Sequence, residues 1–457
     1  MKKMDMDMKE MRVLVVGMAR SGIATAELLH RMCAKEILLN DQRTREDFHG
    51  QLDGLFSLGM TDRLGMLPDG LIENVDLIVF SSGVPFWQDW ILAAKERGIP
   101  CINELELAYW VAEADFVAIT GTNGKTTTTT LTAEILSAAG KGNYPVGNIG
   151  IPGCTHALEM KKEEIAVAEV APFQLVSMPS FHPKASAILN ITEDHLDWFH
   201  TMENYIDGKC LVFQNQGPED VVVLNYDNEI TRSLQSRPKA KVLFFSRQES
   251  LPEGAYVEDG SIILDTHGKK RELMPIEGVR IPGAHNLENA LAAALLSTMM
   301  GVEDGIIAHT LREFAGVEHR IETVETIHGV TYINDSKGTN PDATIMAIRA
   351  MDRPTVLLLG GYDKHGEFGE LFDAFTQEIV HIIVLGETQG KIVETAKEKG
   401  FTAITLAQDL SDAVKKASEL ARPGMNVLLS PACASWDMFR DFEERGRVFK
   451  ELVRGLR

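Results

Sequence analysis

The feature that most constrains this chain is a strand, a glycine-bracketed turn and a helix start in direct succession at residues 117–127. Gly121 and Gly124 bracket the turn, and Lys125 and Thr126 open the helix. In such a turn, backbone N–H groups surround phosphate oxygens, the lysine reaches the outer phosphates and the threonine hydroxyl can bind Mg²⁺. We therefore predict a site for a nucleoside triphosphate, ATP or GTP.

The spacing of this turn departs from the common pattern G-x-x-x-x-G-K-[ST]. Counting back from Lys125, the first glycine of that pattern should stand at position 119, which is Ile119. The alternative interpretation is a tight strand-to-helix turn that binds nothing. The order of strand, glycines, lysine and helix favours the phosphate site.

Length, charge and cysteine usage limit the class of protein. At about 150 residues per domain, 457 residues predict roughly three domains. The net charge of -21 opposes nucleic acid and anionic membranes, so we expect neither as a partner. Five scattered cysteines without a C-x-x-C pair indicate reduced thiols, and the N-terminus lacks the apolar run of a signal peptide. We expect a cytoplasmic protein.

Short apolar strands alternate with helical stretches in three successive runs, which is typical of α/β folds with parallel sheets. We predict three α/β domains. Residues 1–102 form an N-terminal Rossmann-like domain, and residues 103–316 form a central P-loop ATPase-like domain with a mostly parallel sheet and a small antiparallel part. Residues 317–457 form a C-terminal Rossmann-like domain.

The N-terminal domain opens with a second glycine turn after a strand. Gly17, Ala19 and Gly22 match G-x-G-x-x-G with alanine at the middle position, and Asp41 ends the next strand. Ser81-Ser-Gly-Val84 follows a further strand, where open α/β sheets bind ligands. This spacing indicates a second nucleotide-like group, whereas a packed turn without a ligand is the alternative.

Oxygen and imidazole groups follow two predicted strands of the central domain. Glu169 ends one strand, and His195 lies in the segment Asn190-Ile-Thr-Glu-Asp-His-Leu-Asp197 after another. Together with Thr126 they would suit Mg²⁺, which takes few protein ligands and keeps waters. The alternative is a solvated acidic loop, and by default Lys209 would be a surface lysine.

Three polar clusters follow strands of the C-terminal domain: His319-Arg320, Asn334-Asp-Ser-Lys-Gly-Thr-Asn-Pro341 and Gly360-Gly-Tyr-Asp-Lys364. Because this chain is acidic, their lysines and arginine indicate a bound dianion or a phosphoryl group. Capped loops are the alternative. Ser435 could simply be the N-cap of the last helix.

Taken in order, these segments resemble the Mur ligases of peptidoglycan synthesis over essentially the whole chain, and most closely their D-glutamate-adding branch. That family uses G-x-x-G-K-[ST] without the leading glycine, which accounts for Ile119. The motifs that carry the resemblance are Gly121-Thr-Asn-Gly-Lys-Thr126, Gly147-Asn-Ile-Gly150, Glu169 with Phe173-Gln174, Thr192-Glu-Asp-His-Leu-Asp197, Gly283-Ala-His-Asn286, His319-Arg320, Asn334-Asp-Ser-Lys337 and Ser430-Pro-Ala-Cys-Ala-Ser435.

The resemblance implies which residues form each site. For the UDP part of the substrate they are Gly17, Ala19, Arg20, Ser21, Asp41, Gln42, Arg43, Gly83 and Asn148. For ATP they are Gly121, Thr122, Asn123, Gly124, Lys125, Thr126, Thr127, Asn286, Asn289, Arg320 and Asp335. For D-glutamate they are Lys337, Thr339, Lys364, Ser435 and Phe442. The implied catalytic residues are Lys125, Glu169, His195 and Lys209. The implied metal ligands are Thr126, Glu169, His195 and a carbamylated Lys209.

The resemblance also implies the reaction, which is ATP-dependent addition of D-glutamate to UDP-N-acetylmuramoyl-L-alanine through an acyl phosphate. ATP and two magnesium ions would be needed, and a monomer that acts only on small molecules is expected. Ala171 and Pro172 stand where the family often has two serines, and Trp436 replaces a more usual leucine.

Two other classes of function stay open at this point. A dehydrogenase would use the Gly17 turn and Asp41 but leaves Lys125 unexplained, and a regulator would bind ATP without turnover. Within the family, another amino acid could be added, although the Asp-Asn-Pro-Arg segment typical of the diaminopimelate-adding branch is absent.

Overall fold

The computed structural model describes residues 7–194, 196–266, 268–363 and 367–457. The chain divides into two compact units, Met1–Phe314 and Ala315–Arg457. The first unit contains two sheets that share one apolar core, because buried side chains from Met8 to Ala240 form a single cluster. The second unit contains one sheet.

The first sheet has five parallel strands in the order β3-β2-β1-β4-β5. Because the order reverses between β1 and β4, the loops after these two strands face each other at the carboxyl edge. The elements are β1 (Arg12–Val16), α1 (Arg20–Arg31), β2 (Glu36–Asn40), α2 (Asp53–Ser57), β3 (Thr61–Asp62), β4 (Leu77–Phe80), α3 (Asp89–Glu96), β5 (Cys101–Asn103) and α4 (Glu104–Val111).

The second sheet has nine strands in the order β14-β13-β12-β11-β10-β9-β6-β8-β7. Its pairs are parallel except for β12 with β13 and β13 with β14. The elements are β6 (Asp115–Thr120), α5 (Lys125–Ala138), β7 (Asn143–Gly147), β8 (Ile165–Glu169), α6 (Pro172–Leu175), β9 (Ala185–Ile188), α7 (Leu196–Phe199), α8 (Met202–Cys210), β10 (Val221–Asn225), α9 (Glu229–Ser233), β11 (Lys241–Ser246), β12 (Gly254–Glu258), β13 (Ser261–Thr266), β14 (Lys269–Pro275), α10 (Ala284–Met299) and α11 (Asp304–Glu313).

Strand β6 lies between β8 and β9 and is buried over its last five residues. The carboxyl ends of parallel strands share one edge of a sheet, so the segments after β6, β8 and β9 lie side by side there. Helix α10 is buried from Asn289 to Ser297 and packs against α5. Its apolar sequence reflects this position between the sheet and a second helix.

The second unit has six strands in the order β15-β16-β20-β17-β18-β19, and only β15 pairs antiparallel. The elements are β15 (Glu322–Ile327), β16 (Val330–Asn334), α12 (Pro341–Arg349), β17 (Thr355–Leu359), α13 (Gly369–Asp373), β18 (Ile379–Val384), α14 (Gln389–Glu398), β19 (Ile404–Leu406), α15 (Leu410–Leu420), β20 (Asn426–Leu429) and α16 (Phe442–Arg454).

The prediction of three α/β sheets, with a small antiparallel part in the central one, is confirmed. Two elements at the first boundary were not predicted: β5 and α4, which follow each other directly at Asn103 and Glu104. Within the described part of the chain, no helix combines the length and apolar character needed to cross a membrane.

Candidate active site

The turn after β6 forms a phosphate loop at the N-terminus of α5. Gly121 and Gly124 have φ angles of +155° and +85°, and Gly124 is the N-cap of α5. The loop is fixed from the neighbouring strand, since Thr122 N–H donates to Asn190 O at 2.9 Å and Asn123 N–H donates to Asn190 Oδ1 at 2.8 Å. The chain therefore forms the strand, turn and helix that the sequence predicts.

The side chain of Lys125 lies against this loop. Its Nζ donates to the carbonyl oxygens of Gly121 and Thr122, both at 2.9 Å. The ammonium group is thus held beside the backbone that would surround a phosphate.

Asn289 of α10 approaches the loop closely enough to require glycine at position 124. A Cβ atom on Gly124 would lie 2.2 Å from Asn289 Oδ1. The same oxygen accepts from Thr128 Oγ1 at 3.3 Å, and Asn289 Nδ2 donates to Asn286 Oδ1 at 3.2 Å. The two asparagines predicted for ATP therefore lie on the loop side of α10, where Asn289 supports the loop directly.

Glu169 ends β8 beside the loop, with its carboxylate only partly satisfied. The residue is 2% exposed, and its Oε1 accepts from Asn148 Nδ2 at 2.9 Å. Its Oε2 is buried and has no hydrogen-bond partner within the described part of the chain. A buried carboxylate oxygen is costly unless a cation or a donor reaches it.

This arrangement suits a magnesium ion. Thr126 is buried in the first turn of α5, and Glu169 presents a free oxygen at the same edge of the sheet. Within the described ranges, no three His, Cys, Asp or Glu side chains form a metal cluster. Mg²⁺ is commonly held by one or two protein ligands with substrate phosphates and waters, so these residues fit it. The predicted ligand His195 lies outside the described residues.

The interpretation of Lys209 as a surface lysine is wrong. Lys209 lies on α8 with 0% exposure, and its Nζ has no hydrogen-bond partner among the residues that the structure describes. Its Nζ lies 4.5 Å from the centroid of the Tyr205 ring. Burial lowers the pKa of Lys209 well below its usual value, and the charge of Lys125 acts in the same direction. The Tyr205 ring favours the charged amine, whereas burial and the charge of Lys125 favour the neutral amine.

Of the predicted UDP-substrate residues, all but Asn148 follow strands of the first sheet at its carboxyl edge, whereas Asn148 follows β7 of the second sheet. Gly17 has φ +89°, and a Cβ atom there would lie 2.9 Å from Ser81 Cβ, so the loops after β1 and β4 touch. Asp41 Oδ2 accepts from Met18 N–H at 2.7 Å, and its Oδ1 accepts from Arg43 N–H at 3.0 Å.

Asp41 therefore orders the glycine turn itself. Partial burial acts to raise its pKa, but hydrogen bonds from Arg43 and from the Met18 backbone outweigh burial and lower it. Ala19 is the N-cap of α1, and Arg20 and Ser21 are its first residues. Gln42, Arg43, Gly83 and Asn148 are exposed.

In the C-terminal unit, two residues predicted for D-glutamate come together. Lys337 Nζ lies 5.6 Å from the centroid of the Phe442 ring. The preceding residue bonds to the same helix start, because Ser336 Oγ donates to Phe442 O at 2.8 Å, and Thr339 N–H donates to Lys337 O at 2.9 Å in a local turn. Lys364 lies outside the described residues.

Ser435 is buried, and its proposed role as N-cap of the last helix is wrong. The N-cap of α16 is Asp441, whose side chain accepts from Glu444 N–H. The neighbouring Trp436 is 61% exposed, and its ring centroid lies 5.5 Å from that of Tyr362. An exposed aromatic pair thus stands beside Ser435.

The residues predicted for the nucleotide in this unit, Asp335 and Arg320, differ in how well they are satisfied. Asp335 is buried; Oδ1 accepts from Ile321 N–H at 3.2 Å and Oδ2 from Ser430 Oγ at 2.6 Å. Burial raises the pKa of Asp335 to about 6. Both oxygens of Asp335 therefore already have donors within the unit, whereas Nε of Arg320 is buried and has no hydrogen-bond partner in the ranges that the structure describes.

Sequence reasoning missed two buried residues that organise these sites. Arg445 donates through Nε and NH2 to Ser336 and through NH1 to the carbonyl oxygens of Cys433 and Ala434. It thereby joins the segments after β16 and β20. Tyr205 is the other, and its position one turn before Lys209 on α8 was the only signal in the sequence.

Known proteins match this chain over its whole length. The model described as "Mur ligase middle domain" matches residues 119–297, and that of "Mur ligase, glutamate ligase domain" matches residues 319–433. A UDP-N-acetylmuramoylalanine--D-glutamate ligase of Thermoanaerobacter sp. (strain X514) is 46% identical over 454 residues, which cover 99% of this chain and 100% of that protein. A protein of the same name from Clostridioides difficile (strain 630) is 44% identical with the same coverage.

Solved structures agree with the fold. The crystal structure of UDP-N-acetylmuramate-alanine ligase MurC from Thermotoga maritima is 19% identical, covers 98% of this chain and 100% of its own, and has a TM-score of 0.61. A pseudomurein peptide ligase type C from Methanothermus fervidus has a TM-score of 0.58 at 17% identity, with coverage of 98% and 100%. The resemblance noted from the sequence is thus confirmed, and the chain belongs to the Mur ligase family.

Proposed function

We propose that this chain is an ATP-dependent ligase that joins D-glutamate to UDP-N-acetylmuramoyl-L-alanine, using ATP and Mg²⁺. The observation that carries the proposal is the set of residues gathered at one edge of the central sheet. There the phosphate loop, with Lys125 bonded to it, lies beside Glu169, and Lys209 is buried within reach of the charge of Lys125. Among the described residues, Glu169 Oε2 and Lys209 Nζ have no hydrogen-bond partner. Relatives that are 46% identical over their full length carry the name of this reaction.

Electrostatics explains why the first step needs this edge of the sheet. The alanyl carboxylate and the γ-phosphate of ATP are both anions, and two like charges about 4 Å apart repel by about 4 kcal/mol at an effective dielectric constant of 20. Lys125 offsets part of this repulsion from the loop, and Arg320 is proposed to do so from the C-terminal unit. Bound Mg²⁺ would supply further positive charge at the phosphates.

The carboxylate oxygen attacks the γ-phosphorus, the bond to the β-phosphate oxygen breaks, and ADP leaves. The amine of D-glutamate then attacks the acyl carbon, phosphate leaves, and one proton is released. Catalysis by this chain is thus positioning and charge stabilisation. Thr126, Glu169 and the undescribed His195 are proposed to hold the metal, and the UDP, ATP and D-glutamate residues predicted from the sequence keep those proposed roles.

We further propose that Lys209 carries a carbamate and becomes a metal ligand. Among the described residues the amine has no hydrogen-bond partner, and burial and the charge of Lys125 favour its neutral, nucleophilic form. Its nitrogen attacks carbon dioxide, an N–C bond forms, one oxygen takes the electron pair as carboxylate, and one proton goes to water. The product would place a negative group at a nitrogen that has no hydrogen-bond partner among the described residues.

Domain division, oligomeric state and compartment are part of the proposal. Three domains at 1–102, 103–316 and 317–457, a monomer and a cytoplasmic location are proposed. Five free cysteines, four of them buried, support a reducing compartment.

Phosphate release from ATP tests the function. With UDP-N-acetylmuramoyl-L-alanine present, the enzyme is supplied with amino acids of both hands, and release is expected with D-glutamate alone. Lys125→Ala serves as the inactive control. ATP turnover with a different amino acid, or NADH binding without ATP turnover, would contradict the proposal.

A further inference from the structure

Tyr205 touches both the phosphate loop and Lys209 from one position on α8. It lies one helical turn before Lys209, at the i, i+4 spacing that places two side chains on one face. Its ring centroid is 4.5 Å from Lys209 Nζ, and its hydroxyl oxygen is 3.2 Å from Thr122 Oγ1. The tyrosine is fully buried.

The hydroxyl of Thr122 is where Tyr205 meets the loop. Thr122 Oγ1 donates to Thr192 O at 3.2 Å and accepts from Thr192 N–H at 3.1 Å. The two hydroxyl oxygens lie within hydrogen-bonding distance, and either hydroxyl can be the donor in this contact. The Thr122 carbonyl oxygen accepts from Lys125 Nζ. Tyr205 thus bonds to the residue that joins the phosphate loop to the segment after β9.

The ring of Tyr205 is itself held in place. Phe199 lies 5.6 Å away between ring centroids. A Cβ atom on Gly208 would lie 2.7 Å from Phe199 Cε1, so glycine allows Phe199 to pack directly on α8. The Tyr205 ring therefore has little freedom to move away from Lys209.

We propose that Tyr205 is a positioning residue with two separable actions: its ring sets the place and approach side of the Lys209 nitrogen, and its hydroxyl fixes α8 to the phosphate loop. The ring blocks one side of Nζ, so carbon dioxide adds from the other side. The first action rests on the proposed carbamate. The second action does not depend on it.

Two variants separate the actions. Tyr205→Phe keeps the ring and removes the bond to Thr122, so the KM for ATP should rise about fivefold, the worth of one hydrogen bond. The carbamate carbon signal after incubation with ¹³C-bicarbonate should stay at the wild-type intensity. Tyr205→Leu removes the ring as well, so it should show the same rise in KM together with a carbamate signal at least threefold weaker at equal bicarbonate.

Tyr256→Phe is the matched control. Tyr256 is also buried, and Lys270 Nζ lies 5.7 Å from its ring centroid, but it belongs to β12. The KM for ATP and the carbamate signal of Tyr256→Phe should equal those of the wild type.

The outcomes distinguish the proposals. An active wild-type enzyme without a carbamate signal overturns the modified lysine and the role of the ring. If the wild type carries the carbamate but the Tyr205 variants keep the wild-type KM and carbamate signal, only the role of Tyr205 is overturned. If Tyr205→Leu does not fold, Tyr205→Phe still decides: an unchanged KM, or a lost carbamate signal, contradicts the separation of ring and hydroxyl.

Discussion

Replacement of Gly124 by alanine tests how the phosphate loop is built. At φ +85° an L side chain costs about 1–2 kcal/mol of backbone strain. The new Cβ atom would also lie 2.2 Å from Asn289 Oδ1, far inside contact distance. One of the two atoms has to move.

Asn289 cannot move without cost, because it is buried and bonded to Thr128 and Asn286. Displacing it breaks these bonds and leaves buried polar groups unpaired, at about 1–3 kcal/mol. With the backbone strain, Gly124→Ala should lower the unfolding free energy of the first unit by about 2–5 kcal/mol. Because the loop N–H groups are displaced from the position in which they would contact phosphate, ATP binding should weaken at least tenfold.

Urea unfolding and ATP titration measure the two effects, and a double-mutant cycle with Asn289→Ala assigns their cause. The cycle should show about 1–3 kcal/mol of compensation, because the second substitution removes the clash but not the strain. Gly140→Ala is the control: its φ is +70° with no atom within 4 Å of the added Cβ, so it should lose only the strain energy. Strict additivity in the cycle, or normal ATP binding by Gly124→Ala, would refute this explanation.

Three further predictions concern buried charges. Burial raises the pKa of Glu104 to about 7, so its stabilising contribution is complete below pH 4.5 and is lost as the pH rises through 7. Urea unfolding at pH 5 and pH 8 measures this loss, and Glu104→Gln should reduce the difference in unfolding free energy between the two pH values by up to about 3 kcal/mol relative to wild type. An equal difference in the variant and the wild type would contradict this prediction. Arg445→Lys should lower the unfolding free energy of the C-terminal unit by about 2–4 kcal/mol, because an ammonium group cannot reproduce the four hydrogen bonds that the guanidinium makes from three nitrogens. A melting temperature equal to that of the wild type would count against this prediction. Lys209→Ala should lose most phosphate release and regain part of it with acetate or formate, and the same assay without rescue would argue against a carboxylate at this position.

The phosphate loop was predictable because its determinants are local. Strand β6, Gly121, Gly124 and the start of α5 follow one another within eleven residues, and each has a preference that acts on its own backbone. The alternation of strands and helices in the three sheets was predictable for the same reason, although β5 and α4 at the first boundary were missed. Glycines at positive φ mark both predicted ligand turns, at Gly17 and Gly124.

Burial of single polar residues was not predictable from local sequence. Lys209 and Arg445 lie on helices rich in charged residues, and a periodic pattern cannot say which charged face packs inward. Asn289 supports the loop from 165 residues further along the chain, a contact that only tertiary packing creates. The family resemblance pointed to Lys209 and Asn289, whereas Tyr205 and Arg445 emerged only from the packing.

The measurement that tests the proposed reaction most directly is oxygen transfer from the acceptor. UDP-N-acetylmuramoyl-L-alanine labelled with ¹⁸O in its alanyl carboxylate is supplied with ATP and D-glutamate, and the released phosphate is analysed by mass. One ¹⁸O atom per phosphate is predicted, because the carboxylate oxygen that attacks the γ-phosphorus leaves with it. Unlabelled phosphate, with product formed, would contradict the acyl-phosphate route.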